Sequence, residues 1–570
     1  MTMNNHKILL VLFLFAWSLS VCAGDGWWPD QKAPRSVSTC KITRAADLRE
    51  MNLAQSVSGL AAQAVNEGTF SEAVWISTPN PDYAIYYASL MKRLGAKKAG
   101  EYKVWELVKR YAKKGVVKGY VLYDVTKQDN SINLATVYAG LQKGILVDIS
   151  QEAAAKKLGL TKLADATTRH PDTIIFNELK NQLNPGLLVL ANPKFSNNRD
   201  YAIAHKSMVY YGVDSVLYTI LKWVRPVSPV IGWNKGDEFK QIEPCTRYGL
   251  INTATDWCMN LALLSIPSAE EPVKLKGVDP AKIDWEKKGN FHSFVLSDGD
   301  NMQWTFGGFL NNKEYWGNDY RNRLPMSYTS CVLNLSQAGR DVYNYLAGTQ
   351  TDLTSVVEYG GGYYYPDLFA KSTGMPEKIL RDYAQKINAQ MKRTGTKVFG
   401  FICRNISGEA AMKAYRIYAE EIDDLTGMIA VQYSPYNGGH GKVFWVKNKK
   451  GIEIPVVAAR YQLWANLPRP GSGNPAALAN WINTDSTLSG DSKLDWTIVH
   501  AWSQFADPSS GKADPVKGMK DDAAQKGVPA VWWTKERIDG HTTVVSVEEL
   551  LWRIRMKHDP EATRKVINDR

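Results

Sequence analysis

The chain has 570 residues, 44% of them hydrophobic and 22% charged, which excludes a disordered polymer, a collagen and a disulfide-stapled miniprotein. Its 69 lysines and arginines outnumber 57 aspartates and glutamates, for a net charge of +12 spread along the chain. No RNP-like, zinc-finger or basic-zipper pattern accompanies that charge, so nucleic acid is not an expected partner.

Met1–Lys7 is short and basic, and Ile8–Leu19 is an almost unbroken apolar run. That run is shorter than the roughly 20 residues a membrane span takes, and Val21-Cys22-Ala23 offers small residues for a signal peptidase. Residues 1–23 are therefore read as a signal peptide and the protein as exported, periplasmic or extracellular, with lipidation of Cys22 as the alternative. No later segment is apolar enough for a membrane helix. Five cysteines follow, Cys40, Cys245, Cys258, Cys331 and Cys403, an odd number that argues against a full disulfide framework. Cys245 and Cys258 could pair, whereas Cys331 and Cys403 sit in apolar runs and read as buried thiols. With no Cys-x-x-Cys or His-x-x-x-His spacing, no metal is expected.

Residues 24–285 predict an N-terminal α/β domain with a mainly parallel sheet. Strand-like runs at Ala73–Ser77, Gly119–Asp124, Ile145–Ile149, Leu187–Ala191 and Val230–Trp233 alternate with helical stretches such as Asp82–Leu94 and Leu134–Gln142. The basic stretch Lys92–Lys118 reads as a solvated helical face. No Gly-rich phosphate loop follows any strand, so no nucleotide cofactor is expected. Gly232-Trp233-Asn234-Lys235-Gly236-Asp237-Glu238 ends the last run with an aromatic and two acids, Asp237 and Glu238, and reads either as a plain surface turn or as a loop reaching a neighbouring cleft. A polar stretch near 268–288 marks the boundary.

Residues 286–570 are more regular. Eight strand-like runs, Phe291–Leu296, Met326–Ser330, Ser355–Glu358, Lys397–Ile402, Met428–Gln432, Pro455–Ala459, Asp495–Val499 and Val528–Trp532, are mostly separated by helical stretches. They predict a (β/α)8 TIM-type barrel, with a doubly wound sheet as the competing arrangement. Barrel active sites lie at the C-terminal strand ends. The first strand runs into Ser297-Asp298-Gly299-Asp300-Asn301. Kept extended, it would put Asp298 and Asp300 on one face about 6.6 Å apart. Two carboxyl groups that close push their pKa values apart, leaving one as acid and the other ionised. The third strand ends in Glu358, the third catalytic candidate.

After Glu358 comes Gly360-Gly361-Gly362-Tyr363-Tyr364-Tyr365-Pro366, which resembles the signature of the GxGYxYP family, a family classed with the glycoside hydrolases. The resemblance implies an exported bacterial protein acting on carbohydrate, and it identifies no catalytic residue. Tyr363 and Tyr365 would offer rings to a sugar. Other strand ends add Arg404, His440, Arg460, His500, Trp502 and Glu536, and Trp304 adds to the aromatic stock. The expected function is hydrolysis of glycosidic bonds in a poly- or oligosaccharide without a cofactor, by Asp298, Asp300 and Glu358. A non-catalytic glycan-binding protein using the same cleft is the alternative, and the lack of a Gly-x-Ser-x-Gly elbow disfavours an esterase.

Overall fold

The computed structural model describes residues 25–43, 47–465, 469–485, 493–506 and 525–569. The leader-like segment 1–23, with Cys22, lies outside the described residues.

The first half builds three small parallel sheets. Ser36–Lys41 lies between Glu72–Ile76 and Lys97–Lys103, and Gly119–Tyr123 lies between Gly144–Asp148 and Lys162–Asp165. The third sheet runs Ile251–Thr253, Pro229–Gly232, Leu188–Leu190, Met208–Tyr210. The helix Leu48–Asn66 is buried from Met51 to Val65 despite its polar residues. Burial is tolerable because those groups are partnered: Gln63 donates to the carbonyls of Gly140 and Ile203, both at 2.8 Å. The stretch Lys92–Lys118 is not one helical face. Lys97–Lys103 is an exposed edge strand, with lysines that discourage further pairing, and the helix Val104–Lys113 follows it.

The second half builds one large sheet. Parallel strands Asn290–Leu296, Met326–Ser330, Thr354–Tyr359, Val398–Cys403, Gly427–Gln432 and Glu453–Ala458 follow one another, and Val443–Lys447 pairs antiparallel with the last. The chain then bends. Ala459 N–H donates to the Ala430 carbonyl (3.2 Å), but Arg460 N–H donates to Trp496 (3.1 Å), and Tyr461–Leu463 pairs with Leu494–Val499. Since Leu494–Val499 also pairs with the first strand, the sheet curls back on itself.

The eighth expected strand is absent. Val528–Trp532 lies in a helix, Val528–Lys535, with Pro529 in its first turn after a left-handed Gly527 (φ 60°). A short apolar run does not reveal its period, and Pro suits a helix start. A three-residue strand, Thr542–Val544, pairs with Asn290–His292 on the edge of the first strand that faces Met326–Ser330. The arrangement is a curled parallel sheet covered by helices, not eight equal βα units.

Inside the curl, Phe291, Val357, Val398, Ile429, Val457 and Trp496 form one apolar cluster. The helix Val547–His558 contributes Val547, Leu550, Leu551 and Ile554 to it and so fills the end where the strands begin. The first strand turns Phe291 and Val295 inward, whereas His292 bonds Asp495 and Thr497 of the neighbouring strand. The five later cysteines are buried free thiols, Cys245 and Cys258 included. Near the start of the described chain, Trp27 and Trp28 both donate indole N–H to Asn334 Oδ1 at 2.8 Å.

Leu551 is fully buried in the filled end. Leu551→Ala should therefore cost about 2–5 kcal/mol in chemical denaturation. A smaller loss would mean that this helix does not close the curl.

Candidate active site

With one end filled by side chains, the C-terminal strand ends are where a cavity can form. One of about 290 Å³ lies there, close to the lower end of the usual range of about 300–1,000 Å³ for ligand pockets. Ile402, Val431, Ile498 and Tyr359 line it from the strands, and Trp233, Tyr436, His500 and Trp502 from the loops. Its acids are Glu238, Asp298 and Asp300. A larger cavity of about 880 Å³ surrounds the strand beginnings, where charges such as Lys276 and Asp352 pair with each other (2.8 Å). The smaller cavity is the candidate site, because its acids form no ion pair among the described residues.

The strand ends at Leu296, and Asp298 then takes a left-handed conformation (φ 66°), so the expected extended face does not continue. Gly299 permits this path: a Cβ there would lie 2.0 Å from the Thr329 carbonyl carbon. Its N–H is held by Thr329 Oγ1 at 2.9 Å. Asp298 Oδ1 accepts the Trp502 indole N–H at 2.9 Å and Oδ2 accepts the Ser297 hydroxyl. Burial first, and then the charges of Asp298 and Glu238, push the Asp300 carboxyl well above the ordinary carboxylate range.

Glu238 comes from the first half. Asp237 caps its helix by accepting the Lys240 N–H (2.8 Å), and Asn234 ties the preceding loop to Gly212 through two bonds of 2.7 and 2.8 Å. The Glu238 carboxyl accepts the Tyr363 hydroxyl. Burial raises its pKa to about 7, with Asp298 and Asp237 adding to the rise and the Tyr363 bond opposing it.

The glycine-tyrosine run makes this contact possible. Gly360, Gly361 and Gly362 have φ of 76°, 76° and 137°, a path few other residues could follow. Tyr363 N–H donates to the Asn252 carbonyl (2.7 Å) and its carbonyl accepts the Asn252 N–H (3.2 Å), joining the run to a strand of the first half.

Glu358 faces away from the cavity. Its wholly buried carboxyl accepts N–H from Gly361 (2.7 Å) and Leu333 (2.9 Å), so it ties the glycine run to a helix start. Burial holds its pKa up at about 8 against those bonds. The next residue, Tyr359, is the one that turns inward.

The remaining candidates divide. His500 stacks on Trp464 (4.0 Å between ring centres, 19° between planes), and burial lowers its pKa against the pull of Asp298. Trp502 is 41% exposed, and Trp304 supports it from a buried position, 4.7 Å away. Tyr365 packs beneath Arg404, whose guanidinium also lies over Phe239 (4.1 Å). Arg460 is spent on Asp485 (2.7 Å) and on the carbonyl of His440, itself an exposed residue. Asp237 is an exposed cap, and Glu536 is exposed after a helix rather than at a strand end. Asn301, Tyr359 and Ser297 enter the lining without being expected. Among the described residues no group of three acidic, His or Cys side chains is arranged to hold a metal ion.

These features define an α/β protein with a polar, acid-bearing cavity shared by both halves of the chain. Family models match residues 290–506 as "GxGYxYP putative glycoside hydrolase C-terminal domain", 117–187 as "GxGYxYP_N second domain" and 185–266 as "GxGYxYP third domain". The chain belongs to the GxGYxYP family. A crystal structure of a putative hydrolase from Bacteroides thetaiotaomicron is similar in fold over 94% of this chain and 97% of that one, at 20% identity and a TM-score of 0.76. A comparison with curated proteins gave no match.

The Glu238 environment fixes two signs. Tyr363→Phe removes a donor that favours the ionised form and should raise the Glu238 midpoint, whereas Asp298→Asn removes a like charge and should lower it. Carboxyl-carbon NMR, with the signal assigned by its loss in Glu238→Gln, reads both shifts; the reverse order would contradict this electrostatic picture. Because the folded value, about 7, exceeds the ordinary 4.5, the folded state holds the proton longer than the unfolded chain. Stability from this group should thus fall as pH rises from 4.5 to 7, and Glu238→Gln should flatten that part of the melting-temperature profile.

Proposed function

We propose that the protein hydrolyses glycosidic bonds of a poly- or oligosaccharide at the cavity that holds Glu238, Asp298 and Asp300. The observation carrying this reading is that three carboxyl groups from two distant parts of the chain share one small cavity with aromatic rings. Glycoside hydrolysis needs one carboxyl that keeps its proton for the leaving oxygen and another that is ionised, as nucleophile or as base for water. Asp300, raised by burial and by its neighbours, suits the acid. The other role is assigned to Asp298, whose oxygens accept the Trp502 indole N–H and the Ser297 hydroxyl. Glu238 is a second proton-holding group, positioned by Tyr363. Trp233, Trp502 and Tyr436 offer ring faces to the apolar C–H faces of a sugar.

In this reading, residues 1–23 direct export. Residues 24–285 serve as an N-terminal domain that delivers Glu238 to a TIM-barrel-like catalytic domain at 286–570. The family description and the putative-hydrolase neighbour support hydrolytic chemistry on carbohydrate. The glycan-binding alternative rests on the same rings and assigns no role to the acids.

Assay of reducing-end release across a broad glycan panel tests the proposal. Asp298→Asn and Asp300→Asn should each lower turnover by at least about 100-fold while retaining glycan binding, the scale of lost acid–base catalysis. Glycan binding by the wild type with no turnover of any panel member would instead favour the binding protein.

A further inference from the structure

We propose that Arg404 is a specificity-determining residue of this site, recognising a carboxylate or sulfate group on the sugar next to the one in the cavity. The inference rests on the glycoside reading and adds the charge class of the substrate.

Arg404 follows the strand Val398–Cys403, two residues beyond Ile402 in the cavity lining. Its backbone is fixed: the Arg404 and Asn405 N–H groups donate to the Asp367 carboxylate at 3.1 and 2.8 Å. Its guanidinium lies 4.1 Å from the Phe239 ring centre, 5.0 Å from Tyr433 and 5.8 Å from Tyr365. Phe239 adjoins Glu238 in the chain, so the cation sits beside the acidic cavity and outside its lining.

Ring faces hold a cation in place without neutralising it. Three arginines elsewhere are neutralised by carboxylates: Arg93 pairs with Asp341, Arg460 with Asp485 and Arg553 with Glu549, at 2.8, 2.7 and 2.7 Å. Among the described residues, the Arg404 guanidinium has neither an ion pair nor a hydrogen bond. The nearby acids are otherwise engaged, Asp367 on backbone N–H groups and Glu238 on Tyr363, and Asp237 is a helix cap. A half-buried, immobilised guanidinium with its forked donors free is built for a planar or trigonal oxyanion. The cavity lining has three carboxyl groups and no Lys or Arg, so it offers an anion no counter-charge. A charged substituent would therefore be accepted only outside it, where Arg404 waits, and that asymmetry sets which sugar occupies which position.

The test is a binding comparison with the full chain carrying Asp300→Asn. A glycan array with neutral, uronate-bearing and sulfated members is followed by calorimetry on size-matched tetrasaccharides of each class. At least one anionic class should bind about tenfold or more tightly than the neutral one, with a preference that shrinks as salt rises. Arg404→Gln should abolish the preference and Arg404→Lys restore part of it. Arg404→Met, which keeps bulk against the rings, should behave as Arg404→Gln does and controls for a loss of folding. The uronate and sulfate arms tell which group is read. Equal binding of neutral and anionic glycans, or a preference that survives in a folded Arg404→Gln or Arg404→Met protein, overturns the assignment of Arg404 and leaves the glycan reading standing. Binding to no glycan of any class overturns both.

Discussion

Three carboxyl groups share one small cavity, and burial there raises the proton affinity of two of them, Asp300 and Glu238. Removing a carboxyl from water disfavours its charge, and a charged neighbour disfavours it further. The hydrogen-bond donors around the cavity are unevenly shared. Trp502 and Ser297 both serve Asp298, and Tyr363 serves Glu238 with one hydroxyl. Asp300 meets no side-chain donor among the described residues, and its carboxyl is held well above the ordinary carboxylate range. Two proton-holding groups are thereby set by the geometry before any substrate arrives.

The glycine-tyrosine run maintains that geometry without lining the cavity. Its left-handed glycines bring the backbone within reach of Asn334, Tyr383 and Glu358, which bond the Gly361 peptide at 2.7, 2.9 and 2.7 Å. A Cβ on Gly361 would fall 2.3 Å from the Tyr383 hydroxyl, so the close fit itself excludes a larger residue. From this anchored turn, Tyr363 reaches Glu238 and Tyr365 supports Arg404. Aromatic residues that look in the sequence like a sugar platform instead hold the polar groups around the platform.

Much of this was legible in the chain, and the failures have physical causes. Seven of the expected strands in the second half stand where hydrophobic runs and intervening helical periods put them. Val528–Lys535 misled because six apolar or small residues in a row carry no period, and its proline is informative only once the helix start is known. Asp298 and Asp300 meet as expected, but through a left-handed turn and a glycine crossing rather than along an extended face. Glu358 is a buried acid next to an inward residue, and alternation alone does not tell which of Glu358 and Tyr359 points in. Glu238 lies 60 positions before Asp298, in a loop whose acids resemble any surface turn, and only the bridge between Asn252 and Tyr363 explains its place.

That bridge has a consequence for how such a chain can change over time. Glu238 comes from the first half of the chain and Asp298 and Asp300 from the second, so neither half alone lines the whole cavity. Exchange of one half for a foreign counterpart would have to preserve the Asn252 backbone register and the reach of the Glu238 loop together. A chain that kept only one half would thus lose part of the cavity lining together with the anchor that places it.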